Sequence, residues 1–288
     1  MKIKTPPAAI KVTAILLAAL TVLLAFSSCT REKGRDEEHK NMEFVLDKET
    51  DTYTLAYYTD TTKVKTLVIP ETFNGKKVTA LGRLAVASCD TLERVVIGKN
   101  LESIDPWGIV DCRYLRAIEV DPENARFQSL DGVLYSKDGT RLITYPNAHT
   151  AVYSEGGSLQ KKATYTVAPG TKVIGHAAFY KCYALEKVLL PGGLEVIEAR
   201  AFHKCDAMPA IDFPEGLVSI GMDAFLGCES LTELTLPSTL REIGDTAFFN
   251  ALNIKAIRIK AAQEDVTLGN KWWPSSAGRQ LAVEITWG

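Results

Sequence analysis

The chain has 288 residues, with 33 Lys and Arg against 35 Asp and Glu and a formal net charge of −2. Near-balanced charge offers no basic face for phosphates, so nucleic acid is set aside as a partner. Apolar residues make up 46% of the sequence, which is ample for one continuous core.

Residues 1–28 begin with Lys2, Lys4 and Lys11 and continue as the apolar run "AILLAALTVLLAF" from Ala14 to Phe26. That pattern predicts a secretory leader rather than a membrane span, because the apolar core is short. "FSSC" at 26–29 resembles a bacterial lipobox, with Phe26 where leucine is more usual. The resemblance implies cleavage before Cys29 and acylation of that residue, and multiple acyl chains anchor a protein stably where a single one does not. Loss of the leader takes the net charge to about −5. Residues 29–41, containing "TREKGRDEEHKN", carry too little apolar surface to fold and are expected to be a solvated tether. The cluster Asp36, Glu37 and Glu38 is similar to surface-export signals of Bacteroidetes lipoproteins; a plain spacer is the alternative.

Residues 42–65 read as a strand pair turning near Asp47 to Thr52, an N-terminal cap over the end of a stack. From 66 to 251 one template repeats. Cys182, Cys205 and Cys228 are 23 residues apart, as are Cys89 and Cys112; Phe179, Phe202, Phe225 and Phe248 keep the same phase, as do Ile174, Ile197, Ile220 and Ile243. "LTELTLPSTLREIGDTAFFNA" at 231–251 shows a full unit. Its first part alternates, so Leu234 and Leu236 face inward while Glu233 and Thr235 face out, as a strand requires. Proline then ends the strand. The A-F-x-x-C stretch is expected to be one helical or irregular turn on the opposite side. A recurring-leucine period of this length predicts a leucine-rich solenoid.

"LEKVLLPGGLEVIEARAFHKC" (185–205) and "MPAIDFPEGLVSIGMDAFLGC" (208–228) resemble the BspA-like, or Treponema-type, leucine-rich repeat. The resemblance covers most of the chain from about Met42 and implies a right-handed superhelix. A second hallmark is "DGVLYSKDGTRLITYP" at 131–146, within atypical units at 113–165 that include a hairpin turning at Lys137, Asp138 and Gly139. The most loop-like stretch is 147–164. Residues 252–288 re-enter the frame with "IKAIRI" and end as a C-terminal cap.

Three readings compete for the cysteines. Structural zinc needs four converging ligands and usually a close C-x-x-C pair, which is missing. Disulfides meet the Cα distance limits for stacked coils, yet five cysteines cannot all pair. Free interior thiols acting as small apolar spacers fit best, since Ala251 takes the same position in the last unit. No nucleophile motif surrounds His39, His149, His176 or His203, and no phosphate loop or dinucleotide fingerprint occurs. Neither an enzyme nor a cofactor is expected.

What a solenoid offers is area. Outward strand positions form a candidate binding face of Arg94, Val96, Glu119, Lys187, Leu189, Asp212, Glu233, Thr235 and Arg258. For such proteins the resemblance implies adhesion or binding of host components. The leading expectation is therefore an outer-membrane, surface-exposed lipoprotein that binds a host or bacterial protein and meets the membrane only through its lipid. Two alternatives stand beside it: a glycan-binding protein using Trp272 and Trp273 as a flat platform, and a structural envelope component.

Overall fold

The computed structural model describes residues 30–34, 39–59, 64–154, 156–276, 279–280 and 283–288. The leader and Cys29 lie outside them. The chain winds as a β-solenoid whose successive coils pair in parallel. Thr66–Ile69, Arg94–Ile97 and Ala117–Val120 form one three-stranded segment of the outer face. Ala163–Thr166 pairs with Leu185–Leu189, and Glu233–Leu236, Ala256–Ile259 and Glu284–Trp287 form a third segment. Burial alternates along these strands, as at Glu233–Leu236, where both leucines are inside.

Regular coils carry two strands rather than the one expected, except 208–228, which has only the second. The second is a two-residue ladder through Val173–Ile174, Val196–Ile197, Ser219–Ile220, Glu242–Ile243 and Thr267–Leu268. Glycine follows the ladder where coils approach most closely. At Gly244 a Cβ would lie 2.5 Å from the Met222 backbone nitrogen.

The A-F-x-x-C stretch is not helical. Among the described residues the one helix is a 3-10 turn at Gln263–Asp265. The stretch is instead a corner bounded by two left-handed residues four apart: Ala177 and Lys181, Arg200 and Lys204, Asp223 and Gly227, Thr246 and Asn250. Left-handed φ turns alternate peptide groups along the stacking axis, and a further ladder results. Phe179 N–H donates to the Ala201 carbonyl at 2.7 Å, Phe202 to Ala224 at 2.8 Å, and Phe225 to Ala247 at 2.7 Å.

This register fixes the core. Phe179, Phe202, Phe225 and Phe248 stack with ring centroids 4.8, 5.1 and 5.3 Å apart and planes within 12°. The separation is close to the spacing of paired strands. The five described cysteines are buried, and Cys112, Cys182, Cys205 and Cys228 are free thiols. Besides filling space, their thiols have a polar role: Cys205 Sγ donates to the Phe179 carbonyl at 3.2 Å and Cys228 Sγ to Phe202 at 3.0 Å. These two thiols, and that of Cys112 toward the Val86 carbonyl at 3.6 Å, tie a coil to the one before it. Burial pushes the Cys182, Cys205 and Cys228 thiols well above the ordinary range, so they stay protonated and unreactive. Ellman titration of residues 30–288, without reductant, should find close to zero thiols in the native protein and five after denaturation. A count of one would mean disulfide pairing.

The start of the expected tether departs from a solvated chain. Thr30–Lys33 is a strand, antiparallel to Met42–Asp47, because its charges find partners there. Arg31 pairs with Glu43 at 2.5 Å, and Glu32 accepts from the Tyr53 hydroxyl at 3.0 Å and from Asn74 Nδ2 at 2.8 Å. Asp36, Glu37 and Glu38 lie outside the described residues. Met42–Asp47 then pairs antiparallel with Thr52–Tyr58, which runs parallel to Lys76–Leu81 and continues the stack.

At the atypical units Phe127–Leu130, Val133–Ser136 and Arg141–Thr144 form an antiparallel meander, one strand more than expected. Val133–Ser136 walls off two cores in place of the single continuous one: Leu134 packs with residues before it, whereas Val133 and Tyr135 pack with those after. The loop-like stretch also contains a small hairpin, Val152–Tyr153 with Leu159–Lys161.

Candidate functional site

Outward positions of the face are where the alternation put them, but they form separate patches rather than unbroken columns. Arg94, Val96 and Glu119 sit together on the first segment, with Arg94 Nη1 3.3 Å from Glu119 Oε1. Lys187 and Leu189 lie exposed on the second. Glu233, Thr235 and Arg258 share the third, Thr235 being paired with Arg258. Asp212 is exposed but lies on no strand. The reason is Pro209, which has no N–H to offer a neighbouring coil; its carbonyl still accepts from Thr232 N at 3.3 Å.

The first patch is the most shaped. Val68, paired with Val96 in the adjacent strand and 56% exposed, supplies an apolar strip that 23-residue counting misses because the two are 28 apart. The alternation in "TLVI" at 66–69 is the signal that reveals it. Above this strip lies a cavity of about 550 Å³. Val68 and Val96 line it together with Pro70, Glu71, Glu119 and Asp121. Asp121 is held by the Glu123 N–H at 2.7 Å. The chemistry is apolar at the centre and carboxylate at the rim, suited to an extended segment with aliphatic and basic side chains.

The tryptophan pair does not form a platform. Trp272 is 5% exposed and its carbonyl accepts from Phe248 N–H at 2.9 Å, so it takes the place that Ala201, Ala224 and Ala247 hold in the preceding coils and closes the core there. Trp273 meets it edge-on at 84°. The step from Ala247 to Trp272 is 25 rather than 23, which hides Trp272 from strict counting.

A model of the BspA-type leucine-rich repeat region matches six copies over residues 43–154 and 160–269, well over half of the chain. The protein belongs to the BspA-type leucine-rich repeat family. Among solved structures, pneumococcal vaccine antigen PcpA aligns at 17% identity over 86% of this chain and 88% of its own, with a TM-score of 0.52. A leucine-rich cell surface protein from Faecalibacterium prausnitzii aligns at 15% identity over 86% of this chain and 96% of its own, with a TM-score of 0.45. One from Eubacterium ventriosum aligns at 14% identity over 88% and 96%, with a TM-score of 0.43. At these identities the likeness concerns the fold. No curated protein compared with the chain matches it significantly.

In this BspA-type protein the histidines are packing residues. His176 lies edge-on to Trp107, whose ring also sits 5.6 Å beneath the guanidinium groups of Arg83 and of Arg200. His203 stacks on Tyr180 at 4.9 Å, and burial lowers its pKa to about 4 although Asp223 opposes the shift. Among the described residues no cluster of three or more His, Cys, Asp or Glu is placed to hold a metal ion. None of their helices is long and apolar enough to cross a membrane.

Proposed function

We propose that this is a non-catalytic surface lipoprotein that binds a protein partner on the outer strand face. The partner's contacting segment is extended and carries aliphatic and basic side chains. The observation that carries this reading is the strip of exposed Val68 and half-buried Val96 beneath a cavity rimmed by Glu71, Glu119 and Asp121. Exposed aliphatics in a shaped, polar-rimmed depression mark interaction sites more often than scattered ones do. The anchor rests on the leader and on Cys29, and the repeat family supports a surface role. Beyond the face, the broad outer sheet gives a folded partner further area.

A photo-crosslinking amino acid placed at Val68, at Thr235 and, as a lateral control, at Met222 tests the face on intact cells. Adducts with a discrete protein are expected from Val68, and none from Met222; where Thr235 also gives the adduct, Val68→Glu should abolish it, because one partner then spans both patches. Equal labelling at Met222, or none at Val68, would refute the assignment. Cys29→Ala should move the protein from the membrane to the soluble fraction, and protease added to intact cells should degrade the parent. Protection of the parent would place it on the inner side.

A further inference from the structure

We propose a second binding site, for a neutral saccharide, on the flank of the solenoid where the atypical units interrupt the stack. The interruption brings together residues 70 apart: Lys181 Nζ lies 2.5 Å from Asp111 Oδ2, both side chains about 70% buried. Their meeting leaves a cavity of about 490 Å³ between the body and the small hairpin. Asp90, Asp111, Arg113, Lys181, Tyr153 and Tyr183 line it. A second depression of about 460 Å³, lined in part by Tyr114, shares Asp90 and Tyr153, so the two form a groove with Tyr153 between them.

The walls are held in place from below. Arg113 Nη2 donates to the Gly157 carbonyl at 3.1 Å and its guanidinium covers the rings of Tyr114 and Tyr153 at 5.5 and 5.6 Å. Tyr114 and Tyr153 meet edge-on at 5.3 Å. Gly157, at φ +76°, brings its backbone so close to the Tyr114 hydroxyl that a Cβ would lie 2.6 Å from it. A short hairpin braced in this way is a fixed wall. Tyr183, 44% exposed, is free to present its ring to a ligand.

Chemistry selects the ligand class. Two carboxylates and two cations cancel in charge, so the cavity favours neither an anion nor a cation. Hydroxyl groups both donate to Asp and accept from Arg and Lys, so a hydroxyl-rich ligand uses both sets. Tyrosine rings add apolar faces that match the C–H faces of a pyranose, and the volume lies within the range of small-ligand pockets. This site is separate from the strand face and does not depend on protein binding there.

Titration calorimetry of the detergent-solubilised full chain against neutral tetrasaccharides (cellotetraose, xylotetraose, mannotetraose, maltotetraose and N-acetylchitotetraose) tests the proposal. Saturable binding of at least one is expected, with Kd at or below about 1 mM. Tyr183→Ala should weaken it about tenfold or more, the stacking contribution, while Tyr183→Phe retains it. Asp90→Asn should weaken it without changing the melting temperature, and Trp273→Ala should leave it unchanged. No binding to any of the five, or binding indifferent to Tyr183→Ala in a variant that melts like the parent, overturns the proposal. Unchanged crosslinking at Val68 in Tyr183→Ala would keep this result distinct from failure of the strand-face reading.

Discussion

Phe202→Ala is expected to lower the unfolding free energy by about 3–5 kcal/mol, the usual cost of deleting a fully buried phenylalanine. Phe202 is 0% exposed and lies between Phe179 and Phe225, with planes within 8° of each. Its removal opens a cavity that no neighbour can fill, because the two flanking rings are held one coil away on either side by backbone ladders. Phe179 N–H to Ala201 and Phe202 N–H to Ala224 fix that spacing. Two ring contacts disappear together, each worth about 0.5–1.5 kcal/mol beyond burial. Guanidinium denaturation reads the total. Amide exchange reads its location, since a solenoid couples mainly nearest neighbours. Amides at 179–225 should exchange first, while those of the core before Val133 stay protected, because Val133–Ser136 separates the two clusters. A loss under about 1.5 kcal/mol would mean the column collapses around the gap, contrary to its ladders.

How far the sequence carried follows from which interactions are periodic. Leu234 and Leu236 face inward and the phenylalanines stack because every coil repeats the same local choice, and repetition is visible in letters. The corner geometry was not visible. Lys181, Lys204 and Asn250 hold positive φ without being glycine, so the positions that replace a helix with a left-handed corner carry no glycine signature; Gly227 alone does. Cysteine identity could be read as interior, but the thiol's bond to the preceding coil's carbonyl depends on a stacking offset that spacing alone does not specify. The prolines that end strands were legible, but Pro209 precedes a stretch read as a regular strand, and its missing N–H cuts the face there. The flank groove is the least legible of all. Asp111 and Lys181 meet only because the insert between them loops out, and nothing local to either residue announces the other.

Asn124→Ala is expected to destabilise the protein by about 3–6 kcal/mol, although the residue looks like an ordinary polar member of "DPENARF". Asn124 is 0% exposed and uses its whole side-chain capacity. Its Nδ2 donates to the Gly98 carbonyl at 2.8 Å and the Leu101 carbonyl at 3.0 Å. Its Oδ1 accepts from the N–H groups of Arg126 and Phe127, both at 2.8 Å. Two of these partners belong to the preceding coil and two to the entry of the antiparallel meander, so one amide fastens the insert to the stack. Alanine leaves four backbone groups without this partner, those of Leu101 and Phe127 buried and those of Gly98 and Arg126 partly so. Each such group costs about 1–3 kcal/mol, and entering water recovers a share. Asn124→Asp separates the two halves of the amide. An ionised carboxylate still accepts from Arg126 and Phe127 but faces two carbonyl oxygens, which raises its folded pKa above the unfolded value of about 3.9. The variant therefore keeps most stability below that value and loses it as pH rises through the folded pKa. Measured against the parent at each pH, Asn124→Asp should be less damaging at pH 4 than at pH 7, whereas Asn124→Ala should show no such trend. A melting temperature for Asn124→Ala within about 2 °C of the parent would sink the argument that this amide fastens the insert to the stack.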